Sequence, residues 1–76
     1  MKERILSLLR EALPAVNFDS DFLFSELDSL GVVTILMILS NEFGITVKPT
    51  DATPKNLRSI DSIVAMVQNK LSEKQQ

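Results

Sequence analysis

Covalent chemistry in this 76-residue chain is expected at Leu27-Asp28-Ser29-Leu30, with Ser29 as the reactive position. A serine at the start of a helix is most simply a cap, accepting an orphan first-turn amide and contributing about 1 kcal/mol. To act as a nucleophile it needs a neighbouring base. The chain has no histidine, and no lysine stands beside Ser29, so a serine-hydrolase arrangement is excluded. With no cysteine there is no thiolate, no disulfide frame and no cysteine metal site. Read from its residues alone, the chain is not an enzyme.

Composition narrows the partners. The formal net charge is −2, with acids and bases scattered along the chain, and Trp and Tyr are absent. There is neither a basic stripe to neutralise phosphates nor an aromatic platform for bases, so nucleic-acid binding is disfavoured. Met1-Lys2-Glu3-Arg4 is unlike the start of a signal peptide, and the apolar run Val32 to Leu39 is far short of the ~18 residues a membrane span needs. A monomeric cytoplasmic protein is expected, without metal and without stable membrane insertion. At this length one small domain, 1–76, is expected.

Ser29 must be positioned by the elements around it. Ile5, Leu8, Leu9 and Ala12 recur at helical spacing, with Leu6 and Leu13 widening the face, and Pro14 ends this first helix near Leu13. A long connection, Ala15 to Asp28, follows. Its three phenylalanines, Phe18, Phe22 and Phe24, are expected to anchor it on the core. Asp19 and Asp21 read as a solvated turn, since the remaining ligands and the glycine of a calcium loop are missing.

The next helix starts at Asp28 or Ser29 and runs to Phe43, closed by Gly44. Val32, Ile35, Leu36, Leu39 and Phe43 form its core face, and Glu42 is its one charge after Ser29. A helix this apolar is either deeply buried or presents a surface to a partner. Ile45 to Val47 is extended, and one helical turn is expected within Pro49 to Leu57, with Thr53 capping at Pro54. Ser59 caps the last helix, which carries Ile60, Ile63, Val64, Val67 and Leu71, and the polar tail 72–76 is expected to fray. The fold class is all-α: a bundle of three longer helices plus one short helix.

Taken together, Leu27-Asp28-Ser29-Leu30, the apolar helix ending Asn41-Glu42-Phe43-Gly44-Ile45, and the short helix before Ser59-Ile60 resemble the acyl carrier protein family over nearly the whole chain. The resemblance implies that Ser29 carries covalent 4'-phosphopantetheine, derived from coenzyme A and attached by a separate phosphopantetheinyl transferase. The arm ends in a thiol that holds acyl groups as thioesters, so a protein without cysteine acquires its one thiol from the cofactor. Fatty-acid, lipid or specialised-metabolite biosynthesis would be its setting. Its partners would be acyl-transferring, ligating or synthase enzymes.

The same resemblance makes Asp28 a contact for the transferase as well as a cap, and lets Leu30 brace the arm or pack inward. Val33 and Met37 either flank the docking surface and the entrance to the acyl pocket or belong to the core, and Glu42 is the remaining acid of the docking helix. Where fatty-acid carriers show several acids on that helix, this chain has Gly31, Thr34, Ser40 and Asn41. The run from Asp28 to Val33 also resembles D-alanyl carrier proteins, so a D-alanyl or aminoacyl carrier is the alternative. An alternative of another class is a non-catalytic helical adapter in which Ser29 is only a cap.

Overall fold

The computed structural model describes residues 1–74. Its elements are α1 (Lys2–Ala12), α2 (Leu23–Glu26), α3 (Ser29–Phe43), a 3₁₀ turn (Pro49–Asp51) and α4 (Ile60–Lys74). Among the described residues there is no strand, so the all-α expectation holds.

Helix α1 lies against both α3 and α4. Its Ile5 and Leu9 are completely buried. Ala12, expected on the same face, is exposed, because it ends the helix where Pro14 turns the chain away. Two ion pairs on the rim repeat this arrangement. Arg4 meets Glu42 of α3 at 2.6 Å, and Lys2 meets Asp61 of α4 at 2.9 Å.

From α3, Ile35, Leu36 and Leu39 enter the core, and from α4 Ile60, Ile63, Met66 and Val67 do so. Val64 and Leu71 only border it. Gly44 closes α3 in the left-handed region at φ 61°, a conformation that costs a side-chain-bearing residue about 1–2 kcal/mol. The following Ile45 and Val47 are buried while Thr46 is exposed, as the alternation of an extended segment requires. The Val47 amide donates to Ser40 Oγ at 3.1 Å and holds that segment against α3.

The connection from Leu13 to Asp28 is more ordered than its composition suggests. Asn17 Oδ1 accepts the Asp19 amide and Ser20 Oγ accepts the Phe22 amide, giving two side-chain-closed turns. Helix α2 then occupies four residues that the sequence reading leaves as loop. Of the three expected anchors, Phe18 is buried and Phe24 packs at the core edge, but Phe22 is 72% exposed. The anchor that replaces it is Leu23, fully buried, whose amide donates to the carbonyl of Arg58 at 2.9 Å.

Between α3 and α4 the expected helical turn divides in two. Pro49–Asp51 forms the 3₁₀ turn, and Thr53 then starts a separate turn, accepting the Asn56 amide on Oγ1 and the Leu57 amide on its carbonyl. Ser59 caps α4 as expected, accepting the Ser62 amide at 3.2 Å. That helix continues through Lys74, so the fraying expected from Ser72 does not begin there, and Gln75 and Gln76 lie outside the described residues.

The 3₁₀ turn is tied to α4 through one carboxylate. Asp51 accepts the Lys48 amide and the Lys70 ammonium, both at 2.8 Å. The Lys70 hydrogen bond, followed by that of the Lys48 amide, holds the Asp51 carboxyl below the ordinary aspartate value. A lowered folded-state pKa gives stability that is complete above the ordinary value and is lost as pH falls through the folded value. Asp51→Asn keeps an acceptor for Lys48 but removes the charge, and is expected to cost about 1 kcal/mol at neutral pH. Urea unfolding of both proteins across a pH series should show that gap closing below about pH 4.

Candidate functional site

Helix α3 begins where the sequence places it, and the cap is Asp28. Its extended backbone, φ −94° and ψ 179°, precedes the first helical turn, and Oδ1 accepts the Gly31 amide at 2.7 Å. The Val32 amide bonds the Asp28 carbonyl at 3.0 Å. Gly31 leaves this cap uncrowded: a Cβ built there would stand 3.2 Å from Asp28 Oδ1, so that the carboxylate would have to give by a few tenths of an ångström, and 3.6 Å, an ordinary contact, from Leu27 Cδ2. The room it leaves is therefore filled by the capping carboxylate and Leu27.

With Asp28 as the cap, Ser29 is released from that task. Its side chain is exposed and makes no hydrogen bond among the described residues. The amides of Ser29 and Leu30 likewise have no acceptor there. The hydroxyl thus stands at the positive end of a 15-residue helix beside two free donors, a setting suited to a phosphate ester. Other serines are engaged: Ser20, Ser40 and Ser59 accept backbone amides, Ser25 donates to the Phe22 carbonyl, and Ser62 pairs with Ser59. Ser7, within α1, and Ser72, near the end of α4, are the unengaged serines away from a helix start.

Leu30, Val33 and Met37 are 73%, 56% and 57% exposed. Their spacing of three and then four residues puts them in one stripe along α3, on the side away from the buried Ile35 and Leu39. Val33 and Met37 are therefore surface residues, and the reading that made them core does not hold. Leu30 points outward as well. Glu42 stands apart from this stripe. At roughly 100° per residue it is turned about 180° from Val33, and its carboxylate is held by Arg4 Nε and the guanidinium Nη2. The fold thus gathers Asp28, Ser29, Leu30, Val33 and Met37 on one end and flank of α3 and leaves Glu42 on another.

Sequence reasoning did not find Phe22 as a surface residue. A phenylalanine among polar residues reads as a buried anchor, and only the turn closed by Ser20 shows that it faces out.

The family model described as a phosphopantetheine attachment site matches residues 1–67. The chain belongs to this family. No curated protein and no solved structure matches it. As a phosphopantetheine carrier the protein holds a covalent 4'-phosphopantetheine and has no catalytic activity of its own. It works with phosphopantetheinyl transferases and with the enzymes that act on its load. Among the described residues no helix is long and apolar enough to cross a membrane.

Proposed function

We propose that Ser29 is the attachment position and that the chain is an acyl carrier protein. The observation that carries this reading is an exposed serine hydroxyl, free of hydrogen bonds, at the mouth of α3, with the cap supplied by its neighbour. The bound arm supplies a terminal thiol for thioester chemistry. The chain presents a hydroxyl at a fixed place and offers two amides to the phosphate that would join it. Because no base lies against Ser29, the proton of its hydroxyl must be taken by the transferase.

Partner enzymes dock on Leu30, Val33 and Met37, with Asp28 as the charged contact at the loading end. Exposed apolar residues contiguous with the attachment point are what a partner must cover to reach the thiol. Glu42, paired with Arg4, supports the helix packing instead. The chain acts as one carrier domain, a cytoplasmic monomer. Its cargo belongs to fatty-acid, lipid or specialised-metabolite synthesis. A D-alanyl or aminoacyl carrier is the second reading, favoured by the lack of charge along α3 between Ser29 and Asn41. An adapter with Ser29 as a mere cap loses its basis, since Asp28 is the residue that caps.

Intact-mass measurement after incubation with coenzyme A and a phosphopantetheinyl transferase tests the assignment. One arm is expected per chain, and an equally modified Ser29→Ala protein would place the site elsewhere.

A further inference from the structure

We propose that the unloaded pantetheine arm lies folded in the cleft between the end of α1 and the start of α3, where Leu13, Val16, Glu26 and Asp28 wall it. The inference rests on attachment at Ser29. The cleft encloses about 370 Å³, toward the lower end of the ~300–1,000 Å³ usual for small-molecule sites. Leu13, Val16 and Leu27 are half-buried against the core, so its apolar wall is already formed.

Its polar groups suit one kind of ligand. No lysine or arginine lines it. Glu26 is exposed and has no ion-pair partner among the described residues. Asp28 gives Oδ1 to the Gly31 amide and keeps Oδ2 for another donor. Pro14 has no amide to return to the Arg10 carbonyl, and the carbonyls of Glu11 and Ala12 likewise accept no backbone amide among the described residues. Ala12 and Ala15 both border the cleft, and the Ala15 amide has no acceptor there. Such a wall repels anions. It suits a neutral ligand that donates N–H groups, offers a carbonyl and carries a branched apolar group. Pantetheine has these parts: two secondary amides, a hydroxyl and a dimethyl carbon. The tether favours it over any free competitor, since a short flexible link holds it at an effective concentration of the order of millimolar.

Reach allows the fold-back. Leu27 and Gly31 border the cleft and stand two residues from Ser29 on either side, so their Cα atoms lie within about 7 Å of its own. At roughly 1.2 Å of advance per bond, the dimethyl carbon reaches about 5 Å from Oγ and the two amide nitrogens about 8 and 13 Å. The phosphate, repelled by the two carboxylates, stays outside with the free Ser29 and Leu30 amides. The dimethyl group then falls against the apolar wall and the amides among the acceptors.

The folded arm leaves the docking stripe open. Gly31 borders the cleft and is turned about 100° from Leu30 on α3. A partner can therefore meet Leu30, Val33 and Met37 before it draws the arm out.

The test compares the full chain before and after loading with pantetheine from coenzyme A, with loading verified by mass. Amides next to Ser29 shift wherever the arm lies, so the diagnostic ones are Leu13, Ala15 and Val16. These should shift on loading, and the arm's dimethyl protons should show nuclear Overhauser contacts to the Leu13 and Val16 methyls. Ala15→Glu, at an exposed site, puts a side chain and a charge into the cleft and should abolish both signals without unfolding the protein or preventing loading. Phe22→Ser, on the far side of the connection, should leave both in place. Contacts from the arm to Phe22, Phe24 or Pro54 would put it in another groove and overturn the proposal. So would a loaded spectrum that changes only around Ser29, which would mean an arm free in water, or signals that survive Ala15→Glu. Each of these outcomes leaves attachment at Ser29 intact. Failure of Ser29 to take the arm would instead overturn the attachment assignment and this proposal with it.

Discussion

Ser29→Ala is expected to abolish loading yet melt close to the wild type, and Asp28→Ala to be less stable while still offering the hydroxyl. The two residues are adjacent, and either could have served as cap from sequence alone. In the structure the Gly31 amide goes to Asp28 Oδ1 at 2.7 Å, and Ser29 bonds nothing among the described residues. Removing the Asp28 carboxylate should therefore cost about 1 kcal/mol, a fall of about 4–8 °C in Tm for a domain this small. Removing the Ser29 hydroxyl should change stability by less than about 0.5 kcal/mol. Loading should behave in the opposite way: absent in Ser29→Ala at any transferase concentration, and slowed but present in Asp28→Ala. Differential scanning calorimetry and intact mass on the same two variants separate cap from attachment point. A Ser29→Ala protein that is several degrees less stable would mean that Ser29 shares the cap after all.

The parts legible in the sequence were those with long, strong periodicity. Three helices carry at least two turns of apolar repeat, and each is bounded by a residue with a physical reason to stop or start it: Pro14, Asp28, Gly44 and Ser59. Helix α2 was not legible because four residues hold a single turn, too few for a period and below what an isolated nucleus can sustain. It exists because Leu23 is buried and its amide finds the Arg58 carbonyl, a partner 35 residues away, which no local pattern announces. Phe22 was misread for a related reason. Residue type argues for burial, but the turn closed by Ser20 decides the direction. For Val33 and Met37 the sequence left two readings open, because a helix that is apolar nearly all round does not show which side meets water.

Met37→Glu is expected to weaken the complex with the enzyme that delivers the cargo by about fivefold to a hundredfold, and Glu42→Gln to leave it nearly unchanged. Met37 is 57% exposed in the free protein, so an ionised side chain there is hydrated and the fold is not disturbed. On docking, that carboxylate must lose water against an apolar surface, at a cost of about 1–3 kcal/mol when no partner replaces the hydrogen bonds. Each 1.4 kcal/mol is about a factor of ten in affinity. Glu42 is engaged by Arg4 and lies on another side of α3, so Glu42→Gln removes one surface ion pair and little else. The apolar stripe also fixes the salt response. Exposed charges are screened over about 8–10 Å near physiological ionic strength, and between Ser29 and Asn41 this helix has none to screen. Affinity should therefore change little across a salt series, with Met37→Leu binding like the wild type. Steep salt dependence, with Glu42→Gln the more damaging change, would show that charge rather than the stripe selects the partner.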